Sequence, residues 1–357
     1  MNVRPSSQFL EALAVAAPGR PLREGVDRIL QSGKGALIIV GDGPEVLNVC
    51  SGGFRLDAAF SPQRLSELAK MDGAIVLSSD QHRIAWANVH LVPDTDTPTS
   101  ETGTRHRTAE RVARSIKVPV ISVSSSMEVI TIYVGPEKHT VQPVARIMGR
   151  ANQALQTLER YQTRLAAVSM ALSALEIQDL VTLRDVVSVL QRAEMAQRIG
   201  TEIEAYNIEL GIEGRLLRLQ LKEVQGATEQ ERLLVIRDYL CADPFRHLDQ
   251  AVQVLESIHT DDLLSFRGMA KVLQIGDRTG DLDQALEPRG FRLLARLPIL
   301  TGSEREAIVA RYQSLPRILR ATESDLADLL DHDRGRAQAV KDGLARLAES
   351  SIIDRYA

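Results

Sequence analysis

The chain has 357 residues, 44% hydrophobic and 25% charged, a globular balance that argues against disorder and supplies apolar material for more than one core. Its formal charge of -4 gives no general attraction to nucleic acid, so any such binding has to come from a local patch. Only Cys50 and Cys241 are present, which gives no support to a disulfide scaffold or a cysteine metal site and fits a reducing cytoplasm; no apolar run approaches membrane-spanning length.

Residues 1–147 read as an α/β domain with a mixed central sheet. Stretches 6–16 and 21–31 carry apolar residues at helical spacing, with Pro21 suited to a first helical position. β-Branched runs then predict strands at 36–40, 46–50, 74–77, 84–92, 118–123 and 129–134, divided by Gly, Pro and Asp turns. Gly41-Asp42-Gly43-Pro44 and Gly52-Gly53-Phe54 are read as such turns, since neither has the spacing or the Lys-Ser/Thr ending of a phosphate loop. Ser61 ahead of Pro62, Leu65 and Leu68 predicts a helix start, which places Asp72 at a helix-to-strand junction.

Residues 148–286 read as all-α. Between 151 and 199 there is neither Gly nor Pro, and Leu155, Leu158, Leu165, Val168, Leu172 and Leu175 recur at three- and four-residue steps, a long amphipathic helix seam. That stripe suits packing within a bundle; a heptad used for self-association is the alternative. Breaks are expected at Gly200, Gly211 and Gly214, further helices at 229–239 and 248–257, and a turn at Asp243-Pro244. A third segment, 287–357, opens at Glu287-Pro288-Arg289-Gly290 and consists of short helical pieces divided by Pro298, Gly302, Pro316 and a polar run over 331–335.

Two stretches carry chemistry. Asp72-Gly73-Ala74 sets a carboxylate beside a residue that lets backbone approach a ligand. Gly103-Thr104-Arg105-His106-Arg107-Thr108 brings guanidinium groups, hydroxyls and helix-start amides suited to phosphate. Either alone has a plainer reading: Asp-Gly as a tight turn, and Arg105, Arg111 and Arg114 as a solvated basic face. The remaining histidines show no ligand spacing with one another or with cysteine, which disfavours a structural zinc.

These blocks, with their surroundings 68–77 and 101–111 and the order of parts around them, resemble the bacterial DNA integrity scanning proteins, a family of diadenylate cyclases, across essentially the whole chain. The resemblance implies a cyclase domain over 1–147, an all-α linker bundle over 148–286 and a C-terminal helix-hairpin-helix domain over 287–357. It implies joining of two ATP molecules into cyclic di-AMP with loss of two pyrophosphates, at a site shared by two protomers of a homo-oligomer, an octamer in the family, with Mg2+ or Mn2+. By the same resemblance Asp72 holds the metal and promotes the attacking hydroxyl, Gly73 and Ala74 allow close approach, and Thr104, Arg105, His106, Arg107 and Thr108 hold phosphates and the nucleobase end. Leu91 meets adenine through its backbone, and Ser124 is a further phosphate contact.

Branched DNA is the partner implied for the C-terminal domain, through backbone amides of a glycine-bearing hairpin loop. Here Asp331-His332-Asp333 stands where the family usually carries Gly-Ile-Gly. The carboxylates of Asp331 and Asp333 repel phosphate and the lost glycines are expected to deny left-handed geometry, with Arg334 and Arg336 as partial compensation. From Arg289 onward 12 Lys/Arg stand against 10 Asp/Glu, only slightly basic. The rival reading of the whole chain is a DNA-binding scaffold whose nucleotide domain is idle or only senses ATP.

Overall fold

The computed structural model describes residues 6–259, 261–275 and 281–356. They fall into two compact units, one holding the chain up to residue 153 together with 202–219, the other holding 154–201 and everything from 220 onward.

In the first unit, helices α1 (Ser7–Val15) and α2 (Pro21–Gln31) lead into strand β1 (Ala36–Val40), followed by α3 (Pro44–Asn48), β2 (Cys50–Ser51), β3 (Phe54–Ala59) and α4 (Pro62–Leu68). Then come β4 (Ala74–Leu77), β5 (Arg83–Leu91), α5 (Thr104–Ile116), β6 (Val120–Ser124), β7 (Val129–Val134) and β8 (Glu137–Val141). The strands order as β2-β5-β4-β1-β6-β7-β8, with β3 also on β5. β1 and β4 run parallel, Leu37 opposite Ala74, while β5 and β6 flank that pair antiparallel. One face of the sheet buries Ile38, Ile75, Leu77, Ile121 and Ile132 together with Leu22, Val26 and Leu65 of α2 and α4. The opposite face buries Leu37, Ile39, Val76 and Tyr133 under Ala109, Val112 and Ala113 of α5. The mixed α/β expectation is met.

Three local readings are corrected. Residues 46–50 are not a strand: Pro44 occupies the first turn of α3 with Glu45, Val46 is buried, and only Cys50–Ser51 is extended. β3 and β8 were not expected, because both are half-exposed strands whose polar residues, Arg55 and Asp57 in one and Lys138 and His139 in the other, read as loop. The start at Ser61 is as expected, its hydroxyl accepting the Arg64 N–H at 3.2 Å.

The long helices are α6 (Val144–Gln178), α7 (Leu183–Leu210) and α8 (Arg215–Tyr239), followed by α9 (Pro244–Ser257), α10 (Phe266–Val272), α11 (Phe291–Ala295), α12 (Gly302–Tyr312), α13 (Leu315–Arg320), α14 (Glu323–Ala327) and α15 (Arg334–Tyr356). The seam over 151–199 is two helices, not one. Asp179 turns left-handed at φ 57°, and Thr182 restarts the helix, donating N–H and hydroxyl to the Asp185 carboxylate at 3.0 and 2.5 Å. Gly200 does not break the chain but lies inside α7, where a Cβ would come within 3.0 Å of the Gln225 carboxamide. The turn expected at Asp243-Pro244 lies between α8 and α9, where Asp243 caps α9 by accepting the Phe245 N–H at 2.9 Å. Leu165 and Leu172 are buried against Val186, Leu190 and Ile236, so that stretch of the stripe is used within the chain.

The C-terminal helices enclose Phe291, Leu294, Ile308, Leu315, Leu326 and Val340. Asp331 and His332 adopt φ 55° and 61°, so the loop before α15 reaches left-handed geometry without glycine, correcting that expectation; Asp and His tolerate it better than most side chains. The Arg336 guanidinium is bonded to Glu304 at 2.7 and 3.0 Å and to the Ile299 carbonyl at 2.9 Å, and acts on Asp331 and Asp333 only through space. Arg336 and the capping contact with Thr301 lower the Glu304 carboxyl to about 2.

Within the second unit Arg292 is fully enclosed and pairs with Glu176 at 2.6 Å and Glu231 at 2.7 Å. Asp238 accepts the N–H groups of Gly290, Phe291 and Arg292 at 2.7, 2.7 and 2.8 Å, satisfying the start of α11. Arg292→Ala leaves the buried Glu176 and the half-buried Glu231 without their guanidinium and is expected to cost about 3–5 kcal/mol, read as a lowered unfolding midpoint in urea.

Candidate active site

Because β5 and β6 run against β1 and β4, the amino ends of the parallel pair and the carboxyl ends of their neighbours open on one edge of the sheet. There a cavity of about 550 Å³ is lined by Leu37, Asp72–Ala74, Val89–Leu91, Gly103–His106, Thr108 and Ser122–Met127. That volume lies in the range of small-molecule sites. Of the residues singled out in the sequence, Asp72, Gly73, Ala74, Leu91, Thr104, Arg105, His106, Thr108 and Ser124 all line it. Arg107 does not; it is exposed and bonds back to the carbonyls of Glu101 and Thr102 at 3.4 and 3.5 Å.

Gly73 explains how Asp72 is placed. Its φ of 97° is left-handed, and a Cβ would meet the backbone of Asn88 and Val89 at 2.8 to 3.0 Å. The turn ahead of β4 is thus pressed onto β5, which bulges there with Asn88 at φ 54°. The Asp72 carboxylate is left fully in solvent, 3.9 Å from the Arg105 guanidinium. Arg105 in turn lies against Gly35, where a Cβ would come within 2.7 Å of the guanidinium and 2.9 Å of the Val123 carbonyl.

Helix α5 starts at Gly103 with no side-chain cap, so its first amides remain available to a ligand. The loop ahead of it is fastened by Glu110, which accepts from the Thr99 hydroxyl at 2.5 Å and the Ser100 N–H at 2.9 Å. Arg111 and Arg114 hold the carbonyls of Thr97 and Pro98 at 3.0 and 3.2 Å, so they are anchors rather than a solvated basic face. Asp94 accepts the Asp96 N–H at 2.9 Å and lies off the cavity wall.

His106 is only 8% exposed. Its Nδ1 is 2.9 Å from the Tyr133 hydroxyl, and its Nε2 is enclosed with no hydrogen-bond partner. Tyr133 donates to Glu101 at 2.9 Å, and Glu101 also pairs with Lys138. Burial works against the Glu101 charge, but the bonds from Lys138 and Tyr133 outweigh it and hold the carboxyl below its usual range. Burial likewise pushes the His106 imidazole down, against the pull of Glu101. Ser122 is fully buried on the same wall, its hydroxyl also without a partner. Glu101, Tyr133, Ser122 and Gly35 were not identified from the sequence. The signal available was a polar residue facing the α5 side of an otherwise apolar strand, at Ser122 and Tyr133.

Among the described residues no group of three or more His, Cys, Asp or Glu side chains could hold a metal ion by itself. No helix of the described residues is long and apolar enough to cross a membrane.

Residues 23–138 match the family described as DisA bacterial checkpoint controller nucleotide-binding, and residues 141–282 match the DisA bacterial checkpoint controller linker region. The class is therefore a nucleotide-binding α/β domain continued by a helical linker. DNA integrity scanning protein DisA of Kineococcus radiotolerans is 50% identical over 353 residues, covering 99% of this chain and 98% of the relative. That of Frankia alni is 50% identical over 349 residues, covering 98% and 97%. That of Streptomyces coelicolor is 47% identical over 348 residues, covering 97% and 93%. The chain belongs to the DisA family.

Gly73→Ala forces both the left-handed backbone and a clash with β5. It is expected to lower stability by about 1–3 kcal/mol and to weaken nucleotide binding, read by urea denaturation and by isothermal titration.

Proposed function

We propose that this chain is a diadenylate cyclase, converting two ATP into cyclic di-AMP and two diphosphates at a site completed by two protomers. The observation that carries this reading is the meeting of Asp72, the uncapped start of α5 and the serine-lined end of β6 around one cavity. Membership of the DisA family supports it.

Phosphoryl transfer asks for charge neutralisation and in-line placement more than for covalent chemistry by the protein. The amides at the start of α5, with Thr104, Arg105 and Thr108, take phosphate oxygens; Ser124 closes the opposite wall, and the Leu91 backbone at the end of β5 meets the adenine edge. The 3′-oxygen of each nucleotide bonds to the α-phosphorus of the other as the bond from that phosphorus to diphosphate breaks. Each hydroxyl proton leaves toward the Asp72 side. One cavity holds one nucleotide, and a second must face it, so the fully exposed Asp72 and the exposed apolar Met127 and Val92 fit a mouth that closes against a partner. Assembly is then part of the site, and the family's octamer is the proposed assembly.

A single exposed carboxylate suits Mg2+ or Mn2+, which bind proteins through one or two carboxylates and complete their shells with phosphate oxygens and water. Asp72 would hold the ion, which would neutralise phosphate charge and lower the hydroxyl's hold on its proton.

The helices from α11 to α15 are proposed as the helix-hairpin-helix domain, with branched DNA as its ligand and regulator. Its loop is left-handed at Asp331 and His332 but carries the carboxylates of Asp331 and Asp333, and the Arg336 guanidinium is bonded to Glu304. Cytoplasmic placement goes with this reading.

Incubation with ATP and Mg2+ or Mn2+ is expected to yield cyclic di-AMP and diphosphate by chromatography; an intact oligomer that forms neither would overturn the proposal. Asp72→Asn is expected to abolish turnover while sedimentation shows unchanged assembly. In a gel shift at physiological salt, the protein is expected to bind a four-way junction more weakly than its Asp331→Gly, Asp333→Gly double variant; equal or tighter binding by the unaltered chain defeats that part.

A further inference from the structure

Three groups behind His106 have no part in the chemistry above: Tyr133 on β7, Glu101 in the loop before α5 and Lys138 on β8. Their hydrogen bonds run in a fixed direction. Burial and the Glu101 carboxylate push the Tyr133 phenol well above its ordinary value, so it keeps its proton and donates a hydrogen bond to Glu101 at 2.9 Å. Its oxygen can then only accept, which places a proton on His106 Nδ1, 2.9 Å away. Nε2 is left as the one position on the ring that can gain a proton, and it lies enclosed, unpartnered, in a side chain that lines the cavity.

A neutral imidazole in this tautomer carries an unpartnered lone pair at Nε2, in a side chain on the cavity wall. A phosphate oxygen meeting that lone pair is repelled, whereas the same oxygen meeting Nε2–H gains a charge-assisted bond. In the free protein the imidazole is held down by burial, against Glu101, with Lys138 adding to the burial effect. The amino end of α5 and the Arg105 guanidinium favour the neutral form too, while Glu110, buried on the same helix, opposes them; His90 and Asp72 stand on the cavity wall. A phosphate in the cavity adds a negative charge beside the ring, with Glu101 already in place beyond Tyr133 on the Nδ1 side.

We propose that Glu101 and Tyr133 are positioning residues that enable His106 to take up a solvent proton at Nε2 as an anionic phosphate oxygen enters, so that the phosphate is bound by an imidazolium. The proposal rests on the nucleotide reading above and adds a linkage to it. His106 is neutral when the cavity is empty and charged when it is filled. Affinity is therefore flat below the free imidazole's ionisation, falls about tenfold per pH unit between the free and bound ionisations, and is flat again above the bound one.

Cyclic di-AMP is the probe, because its phosphodiesters do not titrate near neutrality. Calorimetric titration into the full chain, in buffers of differing ionisation enthalpy between pH 6.5 and 8, is expected to show uptake approaching one proton per chain. Glu101→Gln keeps an acceptor for Tyr133 but removes the charge, and Tyr133→Phe removes the relay; each is expected to cut the uptake and weaken binding about tenfold at pH 7.5. His106→Gln is expected to abolish the uptake and flatten the pH dependence. Binding by the unaltered protein without proton uptake overturns the inference, as does uptake that both relay variants leave unchanged. Failure of the unaltered protein to bind the ring at all sinks the nucleotide reading, and this inference with it.

Discussion

The cavity depends on one topological constraint: two parallel strands bordered on both sides by antiparallel neighbours. In an all-parallel doubly wound sheet, ligands gather at the carboxyl ends of the strands, where the connections to helices lie. Here the same edge carries the amino ends of β1 and β4 and the carboxyl ends of β5 and β6. A helix entering after β5 therefore begins at that edge, and a helix-to-strand turn before β4 arrives at it too. Residues separated by fifty positions in the chain meet because strand direction alternates around the central pair.

The start of α5 serves that edge in two ways at once. Toward the cavity it offers unbonded amides and the side chains of Thr104, Arg105 and His106. Away from the cavity Glu110, Arg111 and Arg114 tie the preceding loop to the helix, so the approach to those amides is fixed by hydrogen bonds rather than by burial of apolar groups. The buried Glu110 carboxylate is satisfied by Thr99 and Ser100 of the loop and by Arg114 of its own helix, which lets a polar, solvent-open site sit on a sheet whose two faces are otherwise apolar.

What could be read from the chain follows from how local each feature is. Asp72-Gly73 and the residues after Gly103 announce themselves because a close backbone approach and a helix start depend on neighbours in sequence. The buried strands β1, β4, β6 and β7 were legible as β-branched runs, whereas β3 and β8 were not, since half-exposed strands carry loop-like polar residues. Ser122 and Tyr133 look like ordinary strand residues until α5 covers their face. Arg107 stands within a suggestive motif, yet the turn of the helix points it elsewhere. The break after Gln178 was hidden by the lack of Gly and Pro, although Thr182 and Asp185 spell a helix start at three-residue spacing.

The first unit includes residues 202–219, which return to it after the chain has already entered the second unit. Gly211 and Ile212 pack there against Pro18 and Gly19, with the Ile212 N–H on the Pro18 carbonyl at 3.2 Å. The polypeptide thus passes between the units at three places, and no single cut separates them cleanly. A gene fragment ending near codon 153 would encode the sheet but leave out the segment that covers its first interhelical turn. Recombination that swaps one unit for another would need three matched breakpoints, inside α6, α7 and α8, so the pair is expected to be inherited as a single block.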